Sequence, residues 1–339
     1  MRALMALFLA ACRSFSVNES SDRVQFWKKS WGVGLGILVT LSAACSGATD
    51  GAADETTVPP VSTSTAIQST TTTTSTATTV PTTTTTEPRA ATGVIVSAGG
   101  VLGWYEGGGW RSADVPAAVP DTDGRTFRLV GPSGEIGTAV ASAVRTGCEI
   151  IEEHVDLDLE PNPYEGFDPF SSKPIGIDAD WNLVPYPVSE LPLDSAVYAD
   201  IVSDHLASRG FVEVDPEIVQ LYRVDLEGDG ADEVVIVADN HGGAFFQQGV
   251  YSVVLVRRVI EEEVQTAVLH ESIVPDDLEA DEFAFSVVAR LAAIADLDDD
   301  GAMEIVLDSA YYEGAGTEVW DYVDDDLGFV SALLTGCGA

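Results

Sequence analysis

The sequence predicts a mainly β domain with one or two packed helices and blade-like antiparallel sheets. Three observations point there. Short β-branched apolar runs, such as Val234-Val235-Ile236-Val237 and Ile305-Val306-Leu307, recur between turn residues. One stretch has clear helical spacing, with Val197, Ile201, Val202 and Leu206 on a common stripe. An acidic loop occurs twice, each time between two of the apolar runs.

Residues 1–44 read as a signal-peptide region. Lys28 and Lys29 supply a positive start, and Trp31 to Ala44 is an apolar stretch. That stretch is shorter than the ~20 residues a membrane span needs, so it reads as a cleaved leader. The first ~20 residues read as a start assigned too early, since an export leader begins with its own basic segment. Leu41-Ser42-Ala43-Ala44-Cys45 resembles a bacterial lipobox, with Ser42 where Leu is usual. The resemblance implies that Cys45 is lipidated and anchors the chain outside the cytoplasmic membrane. Leu9-Ala10-Ala11-Cys12 is a rival lipobox behind a very short apolar run, and plain secretion without lipid is the other alternative.

Residues 45–91 form a tether. From Thr56 to Pro88 the chain is mostly Thr, Ser, Ala, Val and Pro, with Glu87 its sole charge. Such a composition cannot bury a core. Fully extended, the tether reaches on the order of 140 Å.

The folded part divides into a β-rich subdomain at 92–190 and a helix-plus-β subdomain at 191–339. In the first, Val94 to Val96, Val101 to Tyr105 and Phe127 to Val130 are predicted strands, with a turn at Gly107-Gly108-Gly109. Gly137 to Val144 and Glu149 to Leu159 are expected to pair as a hairpin turning at Thr146-Gly147. Asp156, Asp158 and Glu160 alternate like a third acidic loop, but Pro161 occupies the position that needs Gly, so they read as a strand edge. Residues 161–193 are rich in Pro and aromatics and read as an ordered crossing segment packed over the sheet. Asp194 is the expected helix N-cap and Gly210 the stop. Strands follow near Ile218 to Val224, Glu233 to Ala238, Val250 to Arg258, Val264 to His270, Phe283 to Ile294, Glu304 to Ser309, Thr317 to Tyr322 and Phe329 to Leu334.

The acidic loops are Asp225-Leu226-Glu227-Gly228-Asp229-Gly230-Ala231-Asp232-Glu233 and Asp296-Leu297-Asp298-Asp299-Asp300-Gly301-Ala302-Met303-Glu304. Both place acids at positions 1, 3, 5 and 9 and Gly at position 6. Alternate oxygens on a tight turn point inward together, and clustered carboxylates call for a counter-charge. Calcium tolerates such an irregular oxygen shell better than magnesium does. An EF-hand would need Glu at position 12; Ile236 and Leu307 stand there instead, inside strands. An acidic surface turn without metal is the alternative.

The strand-flanked pattern resembles the cation loops of FG-GAP and VCBS-type repeats, D-x-D-x-D-G-x-x-D, over residues from about 218 to 339. The resemblance implies two structural calcium sites. One would use Asp225, Glu227, Asp229, the Ala231 carbonyl and Glu233. The other would use Asp296, Asp298, Asp300, the Ala302 carbonyl and Glu304. It also implies β blades, of which a partial β-propeller is one form, and an adhesion or ligand-binding role. This sequence departs in having Glu at position 9 of both loops and Glu227 at position 3 of the first.

The formal net charge is −39, and Lys173 is the only lysine after Cys45. Nucleic acid is excluded as a partner, because its phosphates need Lys and Arg. The membrane is met through the lipid anchor only. Beyond the leader and Cys45, Cys148 and Cys337 remain, as a disulfide or as two free thiols.

No catalytic motif stands out, and His154, His205, His241 and His270 lack metal-ligand spacing. Asp239-Asn240-His241-Gly242-Gly243 is the most site-like loop, with an ordinary strand exit as its alternative. The function expected is a surface-held, calcium-binding domain that meets a protein or glycan or plays a structural part. A cell-surface glycan hydrolase with structural calcium loops is the rival, since two well-spaced carboxylates suffice for that chemistry.

Overall fold

A computed structural model describes residues 93–338, apart from 99, 115, 149–153, 167, 169–170, 212–213, 243–244, 261–262, 276–283 and 324–327. The leader, Cys45 and the tether lie outside the described residues. The fold is mainly β, with antiparallel sheets and one α-helix among the described residues. No helix there is long and apolar enough to cross a membrane.

The chain first lays down β1 (Ile95–Ser97), β2 (Gly100–Tyr105), β3 (Trp110–Ser112), β4 (Thr126–Gly131) and β5 (Gly134–Ala141). After these come β6 (Arg145–Thr146), β7 (Val155–Asp156), β8 (Leu159–Glu160) and β9 (Ile175–Ile177). All but β6 and β7 form one seven-stranded sheet in the order β3-β2-β1-β9-β4-β5-β8. This sheet curls around a core of its own, built from Val96, Val101, Trp104, Phe127, Leu129, Ala139, Val155 and Leu159. Two expectations are corrected here. The hairpin expected around Thr146-Gly147 is present but broken into two short ladders, β5 with β8 through Ala141 and Leu159 and then β6 with β7, while β5 also pairs with β4 in a longer hairpin that was not expected. The crossing segment also holds β9, which enters the middle of the sheet between β1 and β4.

Next come β10 (Ser189–Glu190), α1 (Ala196–Ser208), β11 (Ile218–Val224), β12 (Glu233–Asp239), β13 (Tyr251–Ile260) and β14 (Glu263–Ile273). The five strands form a second sheet in chain order. Helix α1 starts one residue later than expected. Ser195, not Asp194, is its N-cap, and no side chain caps the first turn. Val202 and Leu206 face inward, against Leu221, Ile236, Tyr251 and Val253. Val197 lies on the solvent side.

The third sheet is β15 (Val288–Ala295), β16 (Glu304–Tyr311), β17 (Gly314–Val323) and β18 (Gly328–Gly338), again in chain order. It is the middle layer. Ala293, Ala295, Val306, Val319 and Leu333 pack on the first sheet with Ile95, Leu102, Ile177 and Trp181. Leu291, Ile294, Met303, Ile305 and Leu307 pack on the second with Val224, Val235, Val254 and Val256. Cover on both faces explains why every residue of β15 is buried, and why its sequence is apolar throughout and does not alternate. Cys148 and Cys337 are disulfide-bonded, with Cα atoms 5.8 Å apart, and so tie β18 to the segment between β6 and β7.

Candidate metal centres

The strands β11 to β14 and β15 to β18 are two four-stranded meanders. In each, an acidic loop joins the first strand to the second. The loop backbones match. Position 4 is left-handed in both, at Gly228 (φ 73°) and Asp299 (φ 66°), and so is position 6, at Gly230 (φ 90°) and Gly301 (φ 95°). Asp tolerates this conformation better than most residues, which explains how position 4 can differ.

The internal wiring also matches. In the second loop, Asp296 accepts the Asp299 N–H at 2.7 Å and the Gly301 N–H at 3.1 Å. Asp300 accepts the Ala302 N–H at 2.8 Å, and Glu304 Oε2 accepts the Leu297 N–H at 2.6 Å. In the first loop, Asp225 accepts from Gly228 at 2.7 Å and Gly230 at 2.9 Å, Asp229 from Ala231 at 2.6 Å, and Glu233 from Leu226 at 3.0 Å. Positions 1 and 5 hold their own turn in Asx fashion, and position 9 reaches back to position 2.

Neighbouring layers fix the second loop. Trp181 Nε1 donates to the Asp296 carbonyl at 2.9 Å, and Asp296 N–H donates to the Leu183 carbonyl at 2.9 Å. Met303 N–H donates to the Leu226 carbonyl at 2.8 Å, so the two loops share a backbone bond.

One oxygen from each of Asp296, Asp298 and Glu304 lies within 4.8 Å of the others. These residues are 4%, 8% and 0% exposed. Oxygens bound at 2.3–2.6 Å on opposite sides of one calcium ion would lie about 5 Å apart, so the spacing fits such a shell. Glu304 Oε1 is buried without a hydrogen-bond partner. Burial first, then neighbouring acids, pushes Asp296 up to about 6 and Asp298 up to about 7; Glu304 goes well above the usual carboxylate range. Asp300 is exposed at the mouth of the loop. The donor set is all oxygen and short of positive charge, which suits a hard divalent cation.

No such trio forms in the first loop among the described residues. Glu233 is buried there, 2% exposed, and burial pushes it up to about 7. Asp225 and Glu227 are half-buried, and Asp229 is exposed.

Several residues around the loops carried no sequence signal. Asp321 on β17 accepts from Trp110 Nε1 at 2.9 Å, and its charge acts on Asp298 and Glu304. Tyr322 reaches Glu227, and the Tyr186 side chain lies over Gly228. These contacts come from segments remote in the chain, so no local spacing announces them.

The remaining candidate residues are accounted for structurally. Arg145 bridges Asp156 and Asp158, each at 2.7 Å, so two acids of that run are paired within the protein. Asp239 pairs with Arg290 at 2.6 Å, and His241 contacts Ser286 in the buried base of the strand exit. Above it, Phe246, Phe285, Tyr311 and Tyr312 cluster, with the Phe246 and Tyr312 rings 4.7 Å apart. Phe246, Phe285 and Tyr312 are exposed. The cluster draws on the β12–β13, β14–β15 and β16–β17 connections and the end of β16, at the opposite end of β12 and β16 from the acidic loops.

In comparisons with known proteins, the chain matches no protein-family model, no curated protein and no solved structure.

Proposed function

We propose that this chain is an exported, lipid-anchored, calcium-stabilised β domain with a binding or structural role at the cell surface, of the FG-GAP and VCBS type. The observation that carries the reading is the buried trio of Asp296, Asp298 and Glu304, drawn together with one Glu304 oxygen left without a hydrogen-bond partner. Three acids buried together are costly without a cation. An ion bound to the folded state alone turns its binding energy into folding energy. The leader, Cys45 and the long tether support the location, and the exposed aromatic cluster supports a recognition face. Calcium outside the cell meets such sites at roughly 0.1–1 mM.

The test is thermal unfolding of the full-length chain in calcium and in EDTA. At 10 mM calcium, about 100 times a Kd of 0.1 mM, one site adds about 2.7 kcal/mol, or about 5–10 °C in Tm. The rise should shrink sharply in an Asp225→Ala, Asp296→Ala double variant. An unchanged Tm in 10 mM calcium would reduce both loops to acidic turns and remove the reading.

A further inference from the structure

We propose that the two loops are unequal: the second takes the divalent cation, while in the first the Arg258 guanidinium replaces the ion as the counter-charge. This deepens the calcium reading above and rests on it.

Arg258 lies on β13, one strand over from the first loop, and is 9% exposed. Its Nε and Nη1 have no hydrogen-bond partner, so its charge is buried with only partial solvation. The guanidinium is 5.9 Å from the centroid of the Tyr322 ring and 6.0 Å from that of Phe329, a cation–π setting. Space for it exists because residue 328 is Gly: a Cβ there would lie 2.6 Å from Nη2 and 2.8 Å from Cζ. The Tyr322 hydroxyl reaches both Arg258 and the Glu227 carboxylate. Glu227 in turn has a buried oxygen, Oε2, without a partner.

A buried cation and a half-buried carboxylate on either side of one hydroxyl balance each other. Glu227 is the residue that departs from the Asp of the repeat pattern. Its extra methylene gives the carboxylate reach toward Tyr322 and Arg258, away from the loop axis. Acids crowd both loops, Asp229 acting on Glu227 and Glu227 on Glu233, but in the first loop Arg258 acts against them at Glu227. In the second loop the charges acting on Asp296, Asp298 and Glu304 are those of other acids, Asp300 and Asp321 among them. The only close trio of oxygens among the described residues is found there.

The experiment is calorimetric titration of calcium chloride into the full-length chain, with bound calcium counted by equilibrium dialysis. The wild type should bind one ion per chain. Asp298→Asn should weaken that binding at least tenfold, and Asp229→Asn should leave it within about twofold. Arg258→Gln should uncover a second ion, because Glu227 then lacks its counter-charge. If Arg258→Gln does not fold, Glu227→Gln serves, and it should keep the wild-type stoichiometry and affinity. Two ions of similar affinity in the wild type, or equal losses from Asp229→Asn and Asp298→Asn, overturn the inequality and leave the calcium reading standing. Loss of the ion in Glu227→Gln, or no second ion in a folded Arg258→Gln, likewise overturns it. No calcium bound by any form overturns both.

Discussion

Removing the charge at Asp298 should act in opposite directions with and without calcium. In EDTA, Asp298→Asn relieves repulsion among buried acids, and Tm should rise by a few degrees. In 10 mM calcium the same variant loses a ligand and should fall below the wild type; differential scanning calorimetry in the two buffers reads both signs. A variant less stable than wild type in both would mean that Asp298 serves as a neutral hydrogen-bonding group. The pH dependence follows from the same residues. Asp296 at about 6, and Asp298 and Glu233 at about 7, lie above the ordinary values of unfolded carboxyls near 4. A raised carboxyl favours folding while it is protonated, so the metal-free domain should lose stability as pH rises from about 4 to about 7. Calcium needs the ionised forms of Asp296 and Asp298, so its stabilising effect should grow over that same interval. Melting temperatures from pH 4 to 8 in EDTA and in calcium should therefore diverge. Parallel curves would show that these carboxyls do not meet the ion.

At the level of the element, helix α1 depends on two side chains. Leu206→Ala should cost about 2–5 kcal/mol in chemical unfolding, because Leu206 is fully buried against Leu221 and Tyr251. Val197→Ala, on the exposed side, should cost less than about 0.5 kcal/mol. The strands flanking the acidic loops were legible in the sequence, since β11, β12 and β16 are β-branched runs bounded by Asp and Gly. The loops were legible because their acids follow a local spacing. Strand β9 was not: Ile175-Gly176-Ile177 is too short to show a period and sits among prolines. The hairpin around Thr146-Gly147 was legible, but its break into two short ladders was not, because only two residues on each side pair in each. The N-cap slipped by one residue because Asp194 and Ser195 are both good capping types, and neither side chain makes the capping bond. Asp321, Tyr322 and Arg258 stayed hidden because they reach the loops across strands and layers, where linear spacing carries no information.

On the scale of the whole molecule, the disulfide joins residues separated by 189 positions and closes most of the folded part into one loop. Its removal in a Cys148→Ala, Cys337→Ala double variant should cost about 2–5 kcal/mol and appear as a lower Tm. Reduction of the wild type should reproduce the fall, and an unchanged Tm would show that the core alone sets stability. The stack of layers has a further consequence. Helix α1 covers the outer face of the second sheet, and the first sheet curls over its own core. Both ends of the stack are thus closed within one chain, whereas solenoid repeats leave an end sheet ready for the next unit. Growth by adding blades would have to displace α1 or unroll the first sheet.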